Sequence, residues 1–117
     1  MPSTKYAALN GKYLKDAEQL LAANDTVQAS EKFWGAVATA VKAVAAERRW
    51  RHSNHRNLRE AISRLYRETG DDEFLTLFSV AESLHANFYE DFMQPEDVRY
   101  YAGQAKRLVE KLRAVAA

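Results

Sequence analysis

The sequence predicts an all-α protein, an up-and-down bundle of four to five helices. Three observations lead there. Apolar residues recur at i, i+3/i+4 spacing in five separate stretches, and nowhere do they alternate as in a strand. Only four Gly and two Pro punctuate 117 residues, too few turns for many short strands. A 47% hydrophobic and 28% charged composition is an ordinary globular balance. Residues 1–117 are expected to form a single domain, which is the usual size of one.

The first helix is expected over about Thr4 to Ala23, with Tyr6, Leu9, Tyr13, Ala17, Leu20 and Leu21 in one stripe. Gly11 inside that pattern costs about 1 kcal/mol relative to Ala. Asn24-Asp25-Thr26 reads as a turn, with Asp25 or Thr26 capping the second helix. That helix is expected from Val27 to Trp50. Val27, Trp34, Val37, Val41 and Val44 form one face, and Ala29, Ala36, Ala40 and Ala43 a nearly opposite one. A helix apolar on two sides is buried on two sides, so it is either central to the bundle or part of a dimer contact.

Ser53 or Asn54 is expected to cap a third helix running to Thr69, with Leu58, Ile62 and Leu65 inward. Gly70 suits the left-handed residue that ends it. The fourth helix begins near Asp72 and ends near Asp91. Its apolar face takes Phe74, Leu77, Phe78, Ala81, Leu84, Phe88 and Phe92, with His85 in the middle. Pro95 fits the first position of a fifth helix, with Glu96 and Asp97 in its first turn. Val98, Tyr101, Ala105, Leu108, Leu112 and Val115 line its inner face. The aromatics Tyr13, Trp34, Tyr100 and Tyr101 are read as packing residues.

The chain has no Cys, which excludes disulfides, thiolate metal sites and a Cys nucleophile. No apolar run approaches the roughly 18 residues of a membrane span. The N-terminus lacks the apolar segment of a signal peptide. A cytoplasmic protein without a membrane partner is expected. The net charge of +1 identifies no partner, but charge is segregated. Seven Arg (48, 49, 51, 56, 59, 64 and 67) fall in twenty residues with one acid, Glu60. From Glu68 to Val98 there are nine acids and no Lys or Arg. These blocks either neutralise each other or a second subunit, or the Arg block faces a polyanion.

Two constellations carry possible chemistry. His85 lies on an apolar helix face, where a polar ring needs partners or serves as a general base or acid. Glu82, Asn87 and Tyr89 are near enough along the helix to extend a polar cluster. Glu82-Ser83-Leu84-His85 has the Glu-x-x-His spacing of di-iron bundles, but those need two copies and only one occurs; no metal or cofactor is expected. The second constellation is the basic segment with Arg48, Arg49, Trp50, Arg51, His52, His55 and Arg56, in which Arg and aromatic residues interleave as they do for phosphate and base contacts. Its plainer reading is a solvated loop paired to Glu47, Glu60 and the acidic block. No Gly-rich phosphate loop and no Ser/His/Asp order is present.

Gln28-Ala29-Ser30-Glu31-Lys32 leading into Ala40-Val41-Lys42-Ala43 resembles the second helix of HEPN-superfamily domains. His55-Arg56-Asn57-Leu58 with Ile62 and Leu65 resembles the opening of their third helix. Leu84-His85-Ala86-Asn87-Phe88-Tyr89-Glu90 and the last amphipathic helix resemble their final pair. With Trp34-Gly35-Ala36, the match is most similar to the PaREP branch, and it covers about Tyr13 to Leu112. The resemblance implies a four-helix bundle, a homodimer, and for active members a metal-independent ribonuclease, often a toxin paired with a nucleotidyltransferase antitoxin. Their motif is Arg followed by His, with Tyr two residues on. His85 matches the His, but positions 78 to 80 are Phe78, Ser79 and Val80, and Asn87 stands at the Tyr position. The expectation is therefore a catalytically degenerate dimer that binds a protein, a nucleotide or RNA through the Arg48–Arg59 segment and the His85 cluster. The alternatives are a ribonuclease in which His85 uses an Arg from elsewhere, and a pure assembly scaffold.

Overall fold

The computed structural model describes residues 4–116. Five helices occupy them: α1 (Thr4–Ala22), α2 (Thr26–Glu47), α3 (His55–Thr69), α4 (Glu73–Glu90) and α5 (Pro95–Ala116). No strand occurs among the described residues. The bundle architecture is the one the periodicity implies, and the helix boundaries follow local chemistry. Asp25 caps α2 by accepting from the Gln28 N–H at 3.2 Å. Asn54, rather than Ser53, caps α3 by accepting from the Asn57 N–H at 2.8 Å. Gly70 ends α3 at φ 72°, a region closed to most side chains.

Helix α2 is the axis: it packs against all four other helices. Phe33, Val37, Val41 and Val44 are fully buried on it, and so are Ala29 and Ala36 on the small-residue side. Both apolar faces are thus consumed within the chain. Helix α1 lies along the small face. A Cβ at Gly35 would sit 3.0 Å from the ring of Tyr13, so glycine here sets the distance between the two helices. The α1 stripe is only half-buried apart from Ala17, and its anchor is polar. Asn10 is buried; its amide donates to the Ala36 carbonyl and its oxygen accepts from Arg113 Nε of α5 at 3.1 Å.

The hairpin pairs α1/α2, α3/α4 and α4/α5 are antiparallel neighbours. The segment between α2 and α3 behaves differently. Helix α2 ends at Glu47 rather than at Trp50, because Arg49 turns into the left-handed region at φ 61°. The chain then runs back beside α2. His52 packs against Tyr6, His55 against Trp34, and the end of α3 returns to Arg48 through its ion pair with Glu68. Helix α3 is therefore parallel to α2, so the expected up-and-down order does not hold at this one connection, and the first residue of α3 lies beside Trp34 in the first half of α2.

Two aromatic expectations need correction. Helix α4 stops at Glu90 with Asp91 left-handed at φ 47°, so Phe92 leaves the apolar face and is 58% exposed. Tyr100 sits on the outer side of α5 and is also exposed. The acidic start of α4 pairs with α5 instead of with the Arg block. Lys111 reaches Asp71 at 2.6 Å and Glu73 at 3.1 Å, and Arg107 reaches Glu73 at 2.8 Å. The hydrogen bond from Lys111 holds the Asp71 carboxyl below its ordinary range. No helix is long and apolar enough to cross a membrane among the described residues.

Candidate functional site

The site is built where α2, α3 and α4 meet. His85 projects from the edge of the apolar face of α4, not its middle, and keeps 28% of its side chain exposed. Its ring stacks on Trp34 of α2, with centroids 4.9 Å apart and planes 21° from parallel. Nδ1 of His85 lies 2.7 Å from Glu31 Oε1, one turn before Trp34. A carboxylate only accepts, so Nδ1 carries the proton and donates. This leaves Nε2 with the lone pair in the neutral ring. No buried polar side-chain atom lacks a partner among the described residues, so this unpaired Nε2 opens to solvent.

The return of the chain before α3 brings a second imidazole. His55 packs on the same indole at 4.8 Å, and its ring centre is 5.9 Å from that of His85. Its Nε2 donates to Glu82 Oε2 at 2.8 Å. Arg59, one helical turn after His55, grips the same carboxylate. Its Nε donates to Oε2 at 3.2 Å, its Nη2 to Oε1, and Nη2 also to Ser79 Oγ at 3.3 Å. Burial pushes the Glu82 carboxyl up, but the bonds from Arg59 and His55 outweigh it and hold it below its ordinary range. The bond to Glu82 raises the Arg59 guanidinium above its usual value. The result is two imidazoles, each oriented by its own carboxylate, beside one guanidinium, with Tyr89 edge-on to His85 at 5.4 Å.

Of the residues singled out by sequence, His85, His55, Glu82 and Tyr89 meet here. Asn87 does not, and this corrects the expectation. It is fully buried, donates to Ser30 Oγ at 3.0 Å, and accepts from the Phe92 and Met93 N–H groups. It holds the α4–α5 turn. Positions i and i+2 of a helix do not share a face, so Asn87 turns away from His85. Arg59 belongs to the Arg48–Arg59 segment expected to bind, but the structure places it with the imidazoles; Glu31 and Trp34 are additional site residues that no local pattern singles out.

The basic segment splits in two. Arg48 pairs with Glu68 and lies over the ring of Trp50 at 5.2 Å, while Arg64 lies over that ring at 4.6 Å. Trp50 is thereby a platform for arginines. His52 Nδ1 donates to the Trp50 carbonyl at 2.9 Å and is structural. Arg49 carries the left-handed turn, and Arg56 is exposed beside Glu60 at 3.8 Å. Arg51, Arg59, Glu60, Ser63, Arg64 and Arg67 line an open groove of about 550 Å³ along α3. Among the described residues Arg51, Arg64 and Arg67 form no ion pair. No group of three or more His, Asp and Glu is arranged to hold a metal among the described residues.

A family model of the archaeal PaREP1/PaREP8 family matches residues 5–109. The chain belongs to this family. No curated protein and no solved structure matches it. In this PaREP1/PaREP8 protein, the His-Ala-Asn-Phe-Tyr segment thus supplies both a residue of the candidate site, His85, and the buried bracket, Asn87.

Proposed function

We propose that this PaREP1/PaREP8 protein is a HEPN-like, metal-independent ribonuclease whose reacting groups are His85 and Arg59. The observation that carries this reading is the position of Arg59. It supplies, from α3, the cation that the residues preceding His85 lack. An imidazole whose Nδ1–H is held by Glu31 presents Nε2 as a base for a ribose 2′-hydroxyl. The Arg59 guanidinium, held on Glu82 one helical turn before His85, would stabilise charge that develops on the phosphoryl oxygens. The arginine groove leads away from Arg59 and suits the following phosphates of a strand. The cluster itself carries two carboxylates against one guanidinium, so the groove is the source of attraction for a polyanion.

A second reading, RNA or nucleotide binding without cleavage, is favoured by one fact: Glu82 already engages Arg59 with two hydrogen bonds. The resemblance also implies a homodimer and a nucleotidyltransferase-type antitoxin. Exposed Tyr89, Phe92 and Tyr100 support a protein contact. The deciding experiment incubates the protein with labelled single-stranded RNA in EDTA, beside His85→Ala and Arg59→Ala. Cleavage falling on the order of 100-fold or more in both variants supports the nuclease. RNA bound but left intact by the wild type selects the binding reading.

A further inference from the structure

We propose that His55 is a second catalytic residue, the general acid that protonates the leaving oxygen of an RNA phosphodiester while His85 acts as base. This inference rests on the ribonuclease reading and adds a residue that reading does not use. Four observations point to it. His55 and His85 lie 5.9 Å apart, centre to centre, on a shared indole. Each is fixed by a different carboxylate, Glu82 or Glu31, through one ring nitrogen. Each therefore has its other nitrogen, Nδ1 of His55 and Nε2 of His85, free to exchange a proton. His55 is the more open of the two, with 45% of its side chain exposed, as a group that meets the departing end of a polymer must be.

The chemistry balances with these groups alone. The ribose O2′ attacks phosphorus and its proton passes to Nε2 of His85. The P–O5′ bond breaks and the O5′ atom takes a proton from Nδ1 of protonated His55. The products are a 2′,3′-cyclic phosphate and a free 5′-hydroxyl. The two imidazoles end with their protonation states exchanged, and water-borne proton transfer resets them. No oxidant, metal or co-reactant enters. Arg59 sits on the His55 side, sharing Glu82 with it, so the cation and the acid are positioned by one carboxylate. One imidazole performing both transfers in turn would leave the orientation of His55 by Glu82 without use.

The test compares two substrates in EDTA: a single-stranded RNA, and uridine 3′-(4-nitrophenyl phosphate), whose phenolate departs without needing a proton. His55→Ala should lower RNA cleavage about 100-fold or more, the usual worth of a positioned acid. On the nitrophenyl ester its loss should be far smaller than on RNA, whereas His85→Ala should lose activity on both. His55→Gln, whose amide can still donate to Glu82 from the Nε2 position, should behave as His55→Ala; its far-ultraviolet spectrum and melting temperature report whether the fold is kept. RNA cleavage undiminished in His55→Gln, or equal loss on both substrates, overturns the assignment while leaving the nuclease intact. A wild type inert toward both substrates overturns the nuclease reading and the acid together.

Discussion

Trp34 and His85 lie face to face, 4.9 Å between ring centres, although 51 positions separate them in the chain. The indole is also in contact with His55 and with Phe78 of the core. It is the hinge point between packing and chemistry, since one side belongs to the core and the other carries the imidazoles. Trp34→Ala should cost about 3–5 kcal/mol, the usual price of a large buried aromatic. Guanidinium unfolding measures it; a loss below about 1 kcal/mol would mean that the ring is not packed as described.

Asn87 offers a contrasting test. Asn87→Ala leaves two backbone N–H groups at the α4–α5 turn without their acceptor and removes the donor to Ser30 Oγ, which keeps its own bond to the Thr26 carbonyl. A destabilisation of about 2–3 kcal/mol is expected from unsatisfied buried groups. RNA affinity, measured where the variant is still folded, should be unchanged. A selective loss of binding in a fully stable variant would return Asn87 to the site.

Glu82 makes stability depend on pH. Its folded-state pKa lies below the ordinary 4.5, so the folded state holds its proton more weakly than the unfolded chain. The stabilisation is complete above about pH 4.5 and is lost as pH falls through the lower folded value. Wild type should therefore lose stability more steeply than Glu82→Gln between neutral pH and the acid range. Chemical denaturation at a series of pH values reads this; parallel curves would show that the Arg59 and His55 bonds to Glu82 contribute nothing.

Glycines separate local cost from local need. Gly11 lies inside α1 and a Cβ there meets nothing within 4 Å. Gly11→Ala should stabilise by about 0.5–1 kcal/mol. Gly70→Ala, at φ 72°, should instead destabilise by about 1 kcal/mol. Melting temperatures that move in the same direction for both would contradict the helix boundaries.

The groove along α3 predicts a salt effect. If Arg64 and Arg67 each meet one phosphate, replacing both by Gln should flatten the logarithmic salt dependence of RNA binding by about 1.4. Fluorescence anisotropy over a range of salt concentrations gives the slope. An unchanged slope would remove the groove from the path of the strand.

Much of this architecture was readable from residues. Asn54, Asp25, Gly70 and Pro95 act locally, so their helix ends follow from neighbours in sequence. The direction of α3 was not readable, because periodicity reports which face is buried and not which way a neighbour runs. The site was half readable. Glu82 and Tyr89 share the His85 face at i−3 and i+4, and the structure keeps them. Asn87 fails at i+2 for the same geometric reason. Arg59 reaches Glu82 across 23 positions, and no local pattern encodes that distance. Asn10 escaped notice because a buried amide within an apolar stripe looks like an exposed one until Arg113 closes over it from the far end of the chain.

The backward path of residues 48–54 has a consequence for the order in which the two-imidazole cluster is assembled during synthesis. Glu31 and Trp34 are made early, His55 and Arg59 later, and Glu82 and His85 later still. The α1–α2 pair can form with none of the chemistry assembled, and adding α3 brings one imidazole without its carboxylate. Only when α4 has emerged and docked do both rings acquire their partners. A nascent or partly unfolded chain therefore carries no assembled His55–His85 cluster, and the proposed chemistry would become available only as a late event of folding.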